Sequence, residues 1–312
     1  AINKFNTDTE EEINSIKEKL SEKNKEIKDS ISYIKKEHKK YIEFVDDNFD
    51  QEDIYFQEEN RQEKLKSIIN NIDNNKVNIN DKTAETIKNE FQTIFTNTIN
   101  LNEYDDTNIK KIKADEKIVY SPYNINENKD SYEINIHIPV VNINSEVASS
   151  FNKITQEIFA NKANEVLKKT DTTSKTIYSI DYVAYVNNNI LSLVIRSTLK
   201  EAESAQRVII QTYNYNLQTN TSVTLNDAIS LKSLNEKDVE NKIQSTIKEA
   251  DDQTKAILSM GYSNIYTRDL NSDMYKIANS KSFFLGENGK LYIIYAYGNQ
   301  NFTSEMDIVL FE

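Results

Sequence analysis

The chain has 312 residues, 38% of them hydrophobic and 28% charged, with a net charge of −12. That length suits about two domains with buried cores, so wholesale disorder is excluded. With no Cys, 2 His, 4 Gly and 2 Pro, disulfides, thiolate metal sites, Gly-rich nucleotide loops and His-based triads lose their usual parts, and the acidic balance makes the chain a poor partner for nucleic acid phosphates.

Residues 1–116 read as a helical bundle or stalk and 117–312 as an α+β domain. The first helix is predicted to start near Asp8 or Thr9. Glu10, Glu11 and Glu12 then occupy its first turn, where acidic side chains suit the positive end of the helix dipole. Ile13, Ile16, Leu20, Ile27, Ile31, Ile34, Tyr41 and Val45 make a coiled-coil-like seam, with Asn24 and His38 filling two slots. Ile54, Leu65, Ile68, Ile69 and Ile72 form a second stripe, and the Asn-rich stretch 70–80 reads as a loop. Asn80 or Asp81 is placed to cap a further helix with Ala84, Ile87, Phe91, Ile94, Phe95 and Leu101 on one side. A packed bundle and one long dimerising helix both fit this pattern, and these helices are where a homo-oligomer contact is expected.

From Lys117 the texture changes. Tyr132, Ile134, Ile136 and Ile138 alternate with Glu133, Asn135 and His137, as in a half-buried strand, with Pro139 ending it or marking an edge. A helix follows over 145–169, with Val147, Phe151, Ile154, Ile158, Phe159 and Val166 on its expected inner face. Strands are predicted over 176–186, 190–199 and 207–217, the first two joined by an Asn-rich hairpin turn at 187–189. Residues 224–229 lead into a short helix. A long helix over 237–260 carries Val239, Ile243, Ile247, Ala250, Ile257 and Leu258, and Gly261 stops it. Strands near 281–285, 291–297 and 306–311 complete the chain. Short turns between successive strands predict an antiparallel sheet packed with two long helices on one face.

No reaction centre assembles from these residues. His137 on a strand and His38 on the helical seam lack partners at metal spacing and read as surface or packing groups. The acid pairs Asp46–Asp47, Asp105–Asp106 and Asp251–Asp252 are sequence neighbours, whereas glycosidase carboxylates face each other across a cleft. The oxygen-rich stretch 73–81 lacks the sixth-position Gly and closing Glu of a calcium loop, so it reads as a loop and a helix cap. No metal or other cofactor is expected.

Three stretches resemble a known family. Tyr132 to Val141 is a strand ending in an Ile-Pro step before a helix. Residues 215–229 pass from a polar strand through a turn to a Leu-x-Asp step into a helix, and 283–298 is a strand, a Glu-Asn-Gly turn and a tyrosine-rich strand. Together, over about 118–311, they resemble the RsiV/PdaC-type extracytoplasmic domain pair, the anti-sigma factor ectodomain family of Gram-positive bacteria. Two stretches differ from it: 201–205 lacks the family's Gly-Gly-Ala-His-like step, and 299–304 replaces its Pro-Tyr loop.

The resemblance implies a non-catalytic binding or sensing module of a Gram-positive cell-surface protein, extracytoplasmic or secreted, with a protein or cell-wall ligand. Some ectodomains of the family bind lysozyme; the different loop here argues against lysozyme as the ligand. No apolar run is long enough to cross a membrane, so any membrane attachment is expected through an anchor outside this chain. The expected contact residues are Tyr295 and Tyr297 on the late strand, then Asn299, Gln300, Asn301 and Phe302 in the loop after it; tyrosine gives large contact area with a polar tip, and Phe302 is the exposed anchor. Two alternatives stand beside this: a peptidoglycan-acting hydrolase or its accessory domain, and a helical oligomerisation module.

Overall fold

The computed structural model describes residues 2–46, 82–101, 104–298, 300 and 303–312. It divides into two compact units, Ala1–Asp81 and Lys82–Glu312. The division and the boundary expected at 116/117 differ, because residues 82–116 pack into the second unit through Phe91 and Ile99, both buried.

In the first unit, α1 spans Ile2–Asp46 and so begins before the expected start. Its side chains are described at 11 and 13–36. Along the expected seam Ile31 is buried, whereas Ile13, Ile16, Ile27 and Ile34 are exposed. The side chains of His38, Tyr41 and Val45, the second stripe, the 70–80 loop and the expected caps Asn80 and Asp81 lie outside the described residues.

The second unit opens with α2 (Ala84–Thr93), capped by the Thr83 hydroxyl, which accepts from Thr86 N at 3.1 Å. Then come β1 (Thr98–Asn100), β2 (Val119–Asn128), β3 (Tyr132–Val141), α3 (Glu146–Leu167), β4 (Thr176–Asn187), β5 (Ile190–Lys200), β6 (Arg207–Asn216) and β7 (Thr221–Ser222). The chain continues through α4 (Leu225–Leu231), α5 (Glu236–Ser259), β8 (Phe283–Leu285), β9 (Leu291–Ala296) and β10 (Met306–Phe311). The class is α+β, as expected.

The strands form two sheets where one antiparallel sheet was expected. The first has seven strands, in the order β2-β3-β4-β5-β6-β7, with β1 also on β4. β4 carries both β3 and β1 in parallel register, β3 over 176–180 and β1 over 183–185, so this sheet is mixed. Asn97 bridges the step between the two partners: its N–H donates to Tyr182 O and its Oδ1 accepts from Tyr182 N, both at 2.9 Å. The second sheet is β10-β9-β8, antiparallel.

The reason for two sheets lies in β9 and β10. Almost every residue of both strands is buried, which requires cover on both faces. Phe284, Tyr292, Ile294, Met306, Ile308 and Leu310 pack with Val183, Tyr185, Val194, Val208 and Ile210 of the first sheet and with Phe91 of α2. The alternate residues Leu291, Ile293, Tyr295, Val309 and Phe311 pack with Val239, Ile243 and Ile247 of α5. α3 covers the other face of the first sheet through Phe151, Phe159 and Val166. The helices therefore lie on opposite outer faces of a two-sheet sandwich, not on one face. Side chains of the first sheet satisfy the backbone of β8: Asn214 Nδ2 donates to Phe283 O at 2.7 Å, and Leu285 N donates to Ser192 Oγ at 3.1 Å.

Two local expectations change. On α3 the buried stripe is Ala148, Phe151, Thr155, Phe159, Ala163 and Val166, while Ile154 and Ile158 are 52% and 53% exposed and Val147 is exposed as well. The small Ala148 and Ala163 let the helix approach the sheet, and that contact selects the face. Pro139 does not end β3. The register of β2 against β3 shifts between Tyr120 and Tyr123, so Ser121 and Pro122 bulge opposite Pro139. Both prolines of the chain thus sit at one bulge, where neither takes a ladder hydrogen bond away.

Candidate binding groove beside the Arg268 network

The buried stripe of α5 begins as Val239, Ile243 and Ile247 and then turns polar, at Asp251 and Thr254. Opposite it, β10 places Asp307 among apolar neighbours. Arg268, on the segment after α5, lies between them and is 8% exposed. Its Nε donates to Asp307 Oδ2 at 2.5 Å, Nη2 to Asp307 Oδ1 at 3.0 Å and Nη1 to Thr254 Oγ1 at 2.7 Å. Nη2 also lies 3.4 Å from Glu305 Oε2, and Lys88 Nζ lies 3.7 Å from Asp307 Oδ1. The Tyr297 hydroxyl donates to Asp307 Oδ2 at 2.7 Å and pairs with the Tyr275 hydroxyl at 2.9 Å.

Burial opposes the charge on Arg268, but the Asp307 carboxylate holds the guanidinium above its ordinary range. Burial, reinforced by the same carboxylate, pushes the Tyr297 phenol far upward. Burial also pushes Tyr275 up to about 12. The network thus sets a pair of hydrogen-bonded phenols against a bidentate ion pair.

Two adjoining hollows open beside it. One of about 300 Å³ is lined by Lys88, Gln92, Thr254, Ile257 and Arg268 among others. The other, about 700 Å³, is lined by Ala205, Gln206, Asn264, Tyr266 and Thr303. Ile265, Ser304 and Glu305 line both, so the two run together along that strip. Tyr266 stacks on Tyr297 with ring centroids 4.1 Å apart, and its N–H donates to Glu305 Oε1 at 3.2 Å. Both Glu305 oxygens are therefore engaged inside the protein, one by Tyr266 and one by Arg268.

The structure separates the expected contact residues. Tyr295 and Tyr297 are 3% and 1% exposed, so they offer no area to a partner. Tyr295 pairs with Ser280 Oγ at 2.7 Å, and its sheet face is covered by α5. Gln300 is exposed and its Oε1 accepts from the Tyr266 hydroxyl at 2.9 Å, which places it beside the larger hollow. Asn299, Asn301 and Phe302 lie outside the described residues. Sequence reasoning missed Arg268, Asp307, Thr254 and Tyr266. The available signal was an Asp in an otherwise apolar strand and a helix stripe that changes from Ile to Asp and Thr.

His137 sits with Nδ1 2.9 Å from Asn124 Oδ1. Among the described residues no group of three or more His, Cys, Asp or Glu stands together as a metal would need.

No family model matches the chain, and no curated protein matches it. Among solved structures it is similar to DUF3298-family proteins. One, from Pseudomonas aeruginosa PAO1, shares 10% identity at a TM-score of 0.34, covering 59% of this chain and 82% of that one. Another, from Bacteroides fragilis NCTC 9343, shares 14% identity at a TM-score of 0.31, covering 60% of this chain and 85% of that one.

Proposed function

We propose that residues 82–312 form a non-catalytic binding module of RsiV/PdaC type, exposed outside the cell, whose ligand docks in the groove beside Tyr266. The observation that carries this is the state of the groove's charged groups. Arg268 is committed to Asp307 by two hydrogen bonds, and both oxygens of Glu305 are held by protein donors. A general acid or base needs a proton it can exchange with substrate; groups tied this way instead hold a fixed shape. The walls add uncharged polar side chains, Gln206, Asn264, Thr303 and Ser304, the composition of a recognition surface. The sequence stretches that resemble the extracytoplasmic family support the envelope setting, and the anchor would belong to a part of the protein outside this chain. The N-terminal helices would serve as the stalk and oligomer contact.

Co-sedimentation of the full chain with purified peptidoglycan, and gel filtration with lysozyme, test this reading. Retention on one of them, lost in Tyr266→Ala and with no soluble fragments released, is the expected result. Turnover of the material would overturn it.

A further inference from the structure

We infer that the ligand of this groove is an uncharged saccharide chain, which rests on the binding reading above and names its chemistry. A pyranose offers a flat face of C–H groups and a rim of hydroxyls. It is held where an aromatic ring lies beside planar groups able to accept and donate side by side.

The 700 Å³ hollow supplies those parts. Tyr266, half-buried, lines it and stacks on Tyr297 with ring centroids 4.1 Å apart. Its hydroxyl is fixed on Gln300 Oε1 at 2.9 Å, and its N–H on Glu305, so the ring is held at both ends. Around it stand the exposed amides of Gln206 and Asn264 and the hydroxyls of Thr303 and Ser304. Asn264 sits at φ 63°, which fixes the turn that carries its amide.

Charge points the same way. Among the described residues, the lining of this hollow holds one carboxylate, Glu305, already bound to Arg268, and no Lys or Arg. In this hollow a peptide or anion would find no cation and only a carboxylate already held by protein donors, whereas a neutral sugar needs neither; Lys88, in the adjoining hollow, lies 3.7 Å from Asp307. A chain of net charge −12 also repels acidic polymers but not neutral ones.

The test is isothermal titration of the full chain with chitotetraose and cellotetraose, with lysozyme as a separate arm. Binding of either oligosaccharide is expected. Tyr266→Ala should weaken it at least about tenfold, while Tyr266→Phe, which keeps the ring, stays within about threefold. Gln206→Ala and Asn264→Gly, the glycine removing the amide while keeping the positive φ, should each weaken it several-fold without moving the unfolding midpoint, which guards against misfolding of the Tyr266 variant. If neither oligosaccharide binds, the saccharide inference falls. Should lysozyme then bind in a Tyr266-dependent way, the groove reading stands without it. Oligosaccharide binding that is indifferent to all four variants overturns both.

Discussion

Arg268 and Asp307 form a bidentate ion pair in the interior, Nε to Oδ2 at 2.5 Å and Nη2 to Oδ1 at 3.0 Å, with side-chain exposures of 3% and 2%. The pair joins β10 to the segment after α5 and fixes Tyr297, on which Tyr266 stacks. Removing one partner leaves a buried charge unpaired. Asp307→Ala is therefore expected to cost about 3–5 kcal/mol in urea unfolding. Arg268→Met combined with Asp307→Leu should recover part of that loss. Strictly additive losses would mean the two groups do not couple.

Alkaline pH should destabilise this protein through its buried tyrosines. Burial pushes Tyr178, Tyr185, Tyr275 and Tyr295 each up to about 12 from the ordinary phenol value of 10.0. A phenol held neutral in the fold but ionised in the unfolded chain makes the unfolded state the one with fewer protons. Stability is then intact below pH 10 and falls as pH rises toward 12. Ultraviolet titration should show the buried phenols ionising only along with loss of near-ultraviolet circular dichroism. Smooth ionisation of all tyrosines near pH 10 in the folded state would sink this.

The buried face of α3 can be checked directly. Phe159, fully packed against the first sheet, should cost about 3–5 kcal/mol as Phe159→Ala. The double change Ile154→Glu and Ile158→Glu, at exposed positions, should stay within about 0.5 kcal/mol of the parent. The reverse order would restore the face read from periodicity.

Gly298 follows β9 against the start of β6, and a Cβ there would fall on the Val208 carbonyl. That obstacle is backbone and cannot rotate away, so Gly298→Ala is expected to cost about 3 kcal/mol or more. Gly261, at φ 90° with open space around its Cβ position, stops α5; Gly261→Ala should cost only about 1 kcal/mol. Thermal unfolding of the two variants gives the order.

Local pattern alone determined the α+β class, the spans of α3 and α5 to within a few residues, and the hairpin between β4 and β5. Periodicity, the caps Ser145 and Asn235 and the turn at Asn188 act within a few residues of chain. Tertiary structure decided what depends on distant segments. Ile154 and Phe159 are equally apolar, and only the approach of the sheet separates them. Strands 291–296 and 306–311 read as ordinary strands, and only the second sheet's cover on both faces explains why they hold so little polar surface. Asp307 is distant in the chain from Arg268 and Thr254 and meets them because α5 and β10 pack together. A buried ion pair costs more than it returns unless its partners are already in place, and no window of sequence contains them all.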